Sequence, residues 1–332
     1  MHRHYTNETH SSDKEDVEFT KFLFPCLYAL VFLISVFLNT VALWMSFHIP
    51  SATSFLFYLK NLIIADLLTT LTILVKLLSE STLASQQLKV FCCRYSMVIF
   101  YFTLYISIIL MTLICLDRYL KIVRPFGASF IRNKRFGKAV AILIWIVLFC
   151  TTAMPNMILT DQDQHNSSAN SSVTVHCICL KGPLGKKWHD AVILINTLIF
   201  WICFVVMVVF YLLISKEVYE SYRKTNSDNK KARRHTKARV YIIIAVFFLC
   251  FAPYHFTRIP YFLRSQKHCV THNSLHIVKE ITLWVTSTNT CLDPLIYLYL
   301  CKSFRRKFIK TVSMKKGLPD KPNYSKGYET ST

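Results

Sequence analysis

Seven stretches of about twenty or more predominantly apolar residues divide this sequence, near 22–47, 54–80, 89–120, 137–159, 188–214, 238–263 and 275–300. A hydrocarbon layer about 30 Å thick is crossed by about 20 helical residues rising 1.5 Å each. No water is available there to satisfy a free backbone, so each stretch is expected to run as a helix. The expected fold class is all-α, a seven-transmembrane helix bundle over 22–300. A polar tail (1–21) precedes it and a basic segment (301–332) follows.

A length of 332 residues would otherwise suggest about two soluble domains of roughly 150 each. With 53% hydrophobic residues and only 6 glycines, the chain resembles neither a soluble enzyme nor a disordered or collagen-like polymer. The first 21 residues are polar and charged and contain no apolar core of a cleavable signal. The first span is therefore expected to act as its own targeting signal.

Charge placement sets an orientation. Lys121, Arg124, Arg132, Lys134, Arg135 and Lys138 follow the third stretch, a dense basic run from Lys216 to Arg239 follows the fifth, and Lys302, Arg305, Arg306, Lys307 and Lys310 follow the seventh. These segments share one side of a seven-span chain and are expected to face the cytoplasm by the positive-inside rule. The N-terminus is then extracellular and the C-terminus cytoplasmic, in a multi-pass protein of the plasma membrane. The sequons at Asn7, Asn166 and Asn170 fall on the outer side, where glycosylation is expected, and a fourth, at Asn323, falls on the inner side and is read as chance. Much of the net charge of +21 is explained by this topology. Anionic lipid and a protein partner are expected at the basic face, and nucleic acid is not.

The 12 cysteines form no C-x-x-C motif, and most stand singly within spans as small buried hydrophobes. On the outer side Cys92 or Cys93 opens the third span, and Cys177 and Cys179 lie in the long loop after the fourth. A bridge persists in that oxidising compartment. Cys93 with Cys177 is the expected pair, since it would pin the loop across the mouth of the bundle. Cys269 has no evident partner.

Polar residues inside the spans are the functional candidates. Asp66, Ser107 and Asn289 are mid-span, and Thr286, Asn289, Asp293 and Tyr297 recur at three- and four-residue steps, which predicts one inward stripe. Two carboxylates at one depth need a counter-ion, shared protons or water. A sodium ion held by Asp66, Ser107, Asn289 and Asp293 would serve, and a bare polar network is the alternative. Such an acid pair also suits a proton-coupled transporter or a membrane hydrolase, although no internal repeat, nucleophile with its base, or metal-ligand cluster accompanies it. At the inner end of the third span, "LDRYL" allows Asp117 to hold Arg118 while the bundle is closed. "FAPYHFTRIPY" places His255 and Arg258 on one stripe above Pro253, which should kink the sixth helix. Arg258 lies about 7 to 8 Å beyond that proline, near the outer surface.

In order along the chain stand Asn39 in "FLNTVAL", Asp66 in "NLIIAD", Cys93, "DRY" at 117–119, Trp145, "CFAP" at 250–253, "DPLIY" at 293–297, and an amphipathic "KSFRRKFI". Together they resemble the rhodopsin-like (class A) G-protein-coupled receptors over nearly the whole chain, which implies a short amphipathic eighth helix after the seventh span. Longer stretches, among them "VIFYFTLYISI", "LKGPLGKKWH", "IIIAVFFLCFAPYHFTRIPY" and "VKEITLW", are similar to purinergic nucleotide receptors. The branch implied is the one that responds to ADP or UDP-sugars and couples to inhibitory G proteins.

The resemblance implies a nucleotide diphosphate agonist at the outer mouth and no enzymatic activity. Arg258 and Lys279 would hold the phosphates, with Lys181 and His189 assisting. Tyr101 and Tyr105 would contact base and ribose, with Asn156 and Tyr261 nearby, Lys89 steering the phosphates in, and His255 as a neutral, hydrogen-bonded residue of the pocket floor. An arginine fork suits phosphate oxygens and a lysine adds a flexible point charge. Pairing of Lys279 with adjacent Glu280 is disfavoured on a helix, where consecutive side chains diverge. Asp117, Arg118 and Tyr119, with Asp293, Pro294 and Tyr297, would form the switch that engages an inhibitory heterotrimeric G protein. No resident cofactor is implied beyond the sodium ion.

Some residues depart from the branch pattern. Leu74 replaces a proline in the second span, Ile193 stands where ADP-sensing relatives carry a polar residue, and the last outer loop is short. A UDP-sugar or a lysophospholipid therefore stays open as the agonist.

Overall fold

The computed structural model describes residues 2–49, 53–81, 84–124, 130, 131, 133–160, 177–223, 230–265, 273–300, 305, 306 and 309. The side chains of 2–21, 221–240 and 261–276, with those of 178, 179, 218, 297, 299 and 300, lie outside that description. Asn166, Asn170 and Cys269 fall outside the described residues, as do the side chains of Asn7, Tyr261 and Tyr297. The amphipathic segment after the seventh span is described only at Arg305, Arg306 and Ile309.

The described residues are almost entirely helical. In chain order the helices are α1 (His2–Phe47), α2 (Ser54–Glu80), α3 (Gln86–Phe91), α4 (Met97–Val123), α5 (Lys134–Leu148), α6 (Met154–Ile158), α7 (Pro183–Arg223), α8 (Lys230–Ser265), α9 (Asn273–Ser287) and α10 (Asn289–Leu300). A π turn over Cys92–Ser96 joins α3 to α4 as the third span, and another over Phe149–Ala153 joins α5 to α6 as the fourth. Six of these units are long and apolar enough to cross a membrane, and α9 with α10 makes the seventh. The chain is a multi-pass membrane protein.

Local sequence starts several helices. Thr53 and Ser85 accept the backbone N–H of Leu56 and Leu88 at 3.4 and 3.2 Å, and Asn133 accepts that of Arg135 at 3.1 Å. Each satisfies a donor that has no partner inside its own helix. Leu33, Leu71 and Val205 are exposed on the outside of the bundle, as expected of side chains that meet lipid. Tyr28, Leu59, Ile63, Tyr105, Phe200 and Phe251 are fully buried between helices. At the inner end α5 approaches α2 so closely that a Cβ on Gly137 would lie 2.7 Å from that of Ser54. Only glycine fits there.

The seventh span corrects the expectation of one continuous helix. It breaks at Thr288, whose hydroxyl donates to the Val285 carbonyl at 2.6 Å while Ser287 donates to the Trp284 carbonyl at 2.7 Å. Hydroxyls that take carbonyls of the preceding turn compete with the backbone ladder. Thr286 and Asn289 sit on either side of this break, yet Thr286, Asn289 and Asp293 are all buried, and Thr286 and Asn289 line one cavity, as an inward stripe requires. Asn39 holds the lower piece by donating to the Thr290 carbonyl at 2.8 Å.

Candidate ligand site

The outer mouth is closed on one side by a bridged loop. Cys93, presented by the π turn that opens the third span, is bonded to Cys177, the expected pairing. Four residues later Lys181 forms an antiparallel bridge with Thr160 at the end of the fourth span. Its Nζ donates to Asn156 Oδ1 at 2.5 Å and lies 3.5 Å from His189 Nδ1, which is itself 3.3 Å from Asn156 Oδ1. Lys181 is 5% exposed, and this burial, partly offset by Asp190, lowers its pKa to about 8. Lys181 of the bridged loop thus meets the end of the fourth span and the start of α7 at Asn156 and His189.

Arg258 is held from below and from the sides. Its Nη1 donates to the Tyr105 hydroxyl at 2.7 Å, and its guanidinium lies 5.3, 5.9 and 5.2 Å from the ring centres of Tyr101, Tyr105 and Tyr254. Contacts of this length suit cation–π attraction. The Tyr105 oxygen is also 3.0 Å from His255 Nε2, and His255 Nδ1 is 2.8 Å from the Phe251 carbonyl. A carbonyl only accepts, so Nδ1 carries the proton and Nε2 accepts from Tyr105. One neutral tautomer satisfies the whole chain. Phe200 stacks on the imidazole at 3.8 Å and completes the floor.

The sequence candidates separate into layers here. Tyr101 is half-buried and stacks near Tyr254, whereas Tyr105 is fully buried beneath Arg258. Lys89 is half-buried on α3, outside this cluster of contacts. Tyr254 was missed, although its place one turn before Arg258 on the same helix face was a readable signal.

Lys279 also corrects an expectation. Its Nζ lies 3.6 Å from Glu280 Oε1, because two long, flexible side chains can bend together although their Cβ atoms diverge. Glu280 Oε2 meets Lys76 Nζ of α2 at 3.0 Å, and Lys76 also pairs with Glu80 at 2.8 Å. Lys76 was missed too. A lysine among the apolar residues of "LTILVKLL" was the signal.

Deeper in the bundle, Asp66, Ser107, Asn289, Thr286 and Thr69 line a small cavity. Asn289 Nδ2 donates to Asp293 Oδ2 at 2.9 Å. Asp293 stands behind Asn289 and is not among the lining residues. Asn289 Oδ1 and Asp293 Oδ1 are buried without a hydrogen-bond partner. Oxygen donors left over in a small polar space suit a hard monovalent cation.

Above this cavity, Pro253 leaves the Leu249 carbonyl without its usual donor, and the next carbonyl, of Cys250, accepts from Thr286 at 2.9 Å. At the inner end, Arg118 Nη2 donates to Asp117 Oδ2 at 2.7 Å, and the Arg118 guanidinium lies 3.7 Å from the centre of the Phe55 ring. Tyr119 stacks on Phe210 of α7 at 4.9 Å. Pro294 lies inside α10.

Residues 38–297 match the family model described as 7 transmembrane receptor (rhodopsin family). The chain is 47% identical over 295 residues to the human purinoceptor 13, covering 88% of this chain and 82% of that protein. It is 40% identical over 294 residues to the bovine purinoceptor 14, covering 88% and 86%. Over 296 residues it is 36% identical to the mouse G-protein coupled receptor 87, covering 88% and 81%.

Proposed function

Because the chain belongs to the rhodopsin family of seven-transmembrane receptors, we propose that it senses an extracellular nucleoside diphosphate, ADP foremost, and signals through an inhibitory heterotrimeric G protein to lower cyclic AMP. The observation that carries this reading is Arg258, whose guanidinium donates to the Tyr105 hydroxyl at 2.7 Å and lies 5.3 and 5.2 Å from the ring centres of Tyr101 and Tyr254. Cations round a cleft of low dielectric concentrate an anionic ligand. The names of two of these relatives, both purinoceptors, support a purine nucleotide.

In this reading the Arg258 fork takes two phosphate oxygens, and Lys279 and Lys181 add point charges. Tyr101 offers a ring face to the base, with Asn156 and Tyr261 assigned assisting roles. Tyr105 and His255 act from beneath, by fixing Arg258. Lys89 attracts the phosphates at the entrance. Drawing Arg258 toward phosphate moves the outer half of the sixth helix about Pro253, and the inner end opens as Arg118 leaves Asp117. Asp293, Pro294 and Tyr297 carry the change along the seventh span. No bond in the ligand is made or broken. The receptor is not an enzyme.

Asp66, Ser107 and Asn289, backed by Asp293, would hold a sodium ion that supplies positive charge between the carboxylates of the closed state. The N-terminus faces outward, with glycans on Asn7, Asn166 and Asn170, and the basic inner loops face the G protein.

The test is agonist-stimulated guanine-nucleotide exchange on an inhibitory G protein, with ADP, a UDP-sugar and a lysophospholipid compared. ADP should be the most potent, and Arg258→Ala and Lys279→Ala should each weaken it at normal surface expression. Inactive ADP, or two variants that respond as the parent does, would sink the reading.

A further inference from the structure

Glu280 has two ammonium partners of unequal standing. Lys76 reaches Oε2 from α2 at 3.0 Å, with both side chains only 10% exposed. Lys279 reaches Oε1 at 3.6 Å, and its side chain is 25% exposed. The shorter, deeper pair therefore spans two helices, and the longer, shallower one belongs to the lysine at the mouth.

Lys76 is itself fixed. It pairs with Glu80 one turn on at 2.8 Å and lies 4.9 Å over the Tyr28 ring. Tyr28 is fully buried. The four charges of Lys76, Glu80, Glu280 and Lys279 sum to zero. A carboxylate as enclosed as Glu280 carries a desolvation penalty of several kcal/mol unless a cation compensates it. Lys76 supplies that compensation from the buried side. If Lys279 swings to another anion, Glu280 keeps its closer partner. Glu80, whose side chain is 35% exposed, can shed part of its own demand to water.

The geometry points to Lys76 as a positioning residue for the anion site: by neutralising Glu280 it leaves Lys279 available for a phosphate. Without Lys76 the charge of Glu280 draws on Lys279, and a ligand phosphate must compete with a buried carboxylate for the same ammonium. Lys76 itself touches no ligand in this scheme. The competition of Lys76 and Lys279 for Glu280 is read from the ion pairs, whereas the use of Lys279 by a phosphate rests on the nucleotide reading above.

Two readouts on the full-length receptor separate these parts. In the purified receptor without nucleotide, acylation of Lys279 by an amine-reactive ester, followed by mass spectrometry, should fall about threefold or more in Lys76→Met and recover in Lys76→Met with Glu280→Gln. In the exchange assay at matched surface expression, the ADP concentration for half-maximal response should rise about tenfold in Lys76→Met and return, in the double variant, to within about threefold of Glu280→Gln alone. Glu280→Gln alone should label Lys279 at least as well as the parent, which keeps the idea testable if Lys76→Met fails to reach the surface. Unchanged Lys279 labelling across the series would overturn the inference, and so would a loss in Lys76→Met that Glu280→Gln does not relieve. If labelling shifts as expected while ADP is inert on the parent receptor, the nucleotide reading falls and the tethering of Lys279 stands.

Discussion

Arg258 of the sixth helix donates to the Tyr105 hydroxyl of the third at 2.7 Å, and that hydroxyl has its other partner, His255 Nε2, at 3.0 Å. One oxygen thus links Arg258 to a floor residue that is fully buried. Tyr105→Phe keeps the ring and removes the link. A hydrogen bond to a charged group contributes about 1.5–3 kcal/mol, so agonist potency should fall about tenfold or more. Concentration–response curves at matched expression check this. Combining Tyr105→Phe with Arg258→Lys should cost little beyond Arg258→Lys alone, since the two residues act as one unit. Additive losses would separate their roles.

Lys181 should make agonist binding sensitive to alkaline pH. Burial lowers its pKa to about 8, below the usual lysine value. The charged form attracts phosphate, so its contribution is complete below about 8 and is lost as pH rises beyond it, up to the higher pKa that a bound phosphate would impose. The last phosphate proton of the ligand leaves near pH 6, well below this window. Potency should therefore hold between about pH 7 and 8 and decline above, and Lys181→Arg should flatten the curve because a guanidinium does not titrate there.

The bundle was legible in the sequence because a membrane fixes element length, and Ser54–Glu80 begins and ends where its apolar run does. The break at Thr288 was not, since it depends on which carbonyls Ser287 and Thr288 capture. Within the site, Arg258 stood out as a charge among apolar residues. Its burial against Tyr105 did not, because spacing on one helix says nothing of what the facing helix presents. Lys76 and Glu280 lie 204 residues apart, and only the packing of α2 against α9 makes them partners. The i to i+1 rule failed for Lys279 because it describes Cβ directions, which two long side chains can overcome.

The Cys93–Cys177 bridge closes a sequence separation of 84 residues and stands four residues before Lys181. Cys93→Ser or Cys177→Ser should loosen the loop that brings Lys181 to Asn156 and His189. By the chain-entropy argument the bridge contributes about 4 kcal/mol. Both variants should lose surface expression and melting temperature, and the fraction that reaches the surface should bind agonist weakly. Mild reduction of the parent receptor should reproduce the binding defect. Full binding by a Cys177→Ser receptor would show that Lys181 is placed without the bridge.

Sodium dependence follows from the inner oxygen set. If Asp66, Ser107 and Asn289 hold the ion in the closed state, raising sodium in place of a bulky organic cation should reduce agonist potency. Asp66→Asn should abolish that dependence. The same salt effect in Asp66→Asn would assign it to the surface.

At the cytoplasmic end Arg118 has two restraints of different kinds, the Asp117 carboxylate at 2.7 Å and the Phe55 ring at 3.7 Å. Phe55 is buried, so its ring face meets a partly desolvated guanidinium, a setting in which cation–π attraction contributes about 2 kcal/mol. The contact crosses from the second span to the third and is lost if Arg118 swings toward a G protein, so it favours the closed state alone. Phe55→Leu retains most of the apolar volume and removes the ring. The closed-to-open ratio should then fall by about tenfold, raising basal guanine-nucleotide exchange and leaving the maximal agonist response unchanged. Phe55→Tyr, which keeps a ring face, should stay near the parent. Basal exchange measured without agonist at equal receptor number decides the matter: a quiet Phe55→Leu receptor would mean that the Phe55 ring does not restrain Arg118.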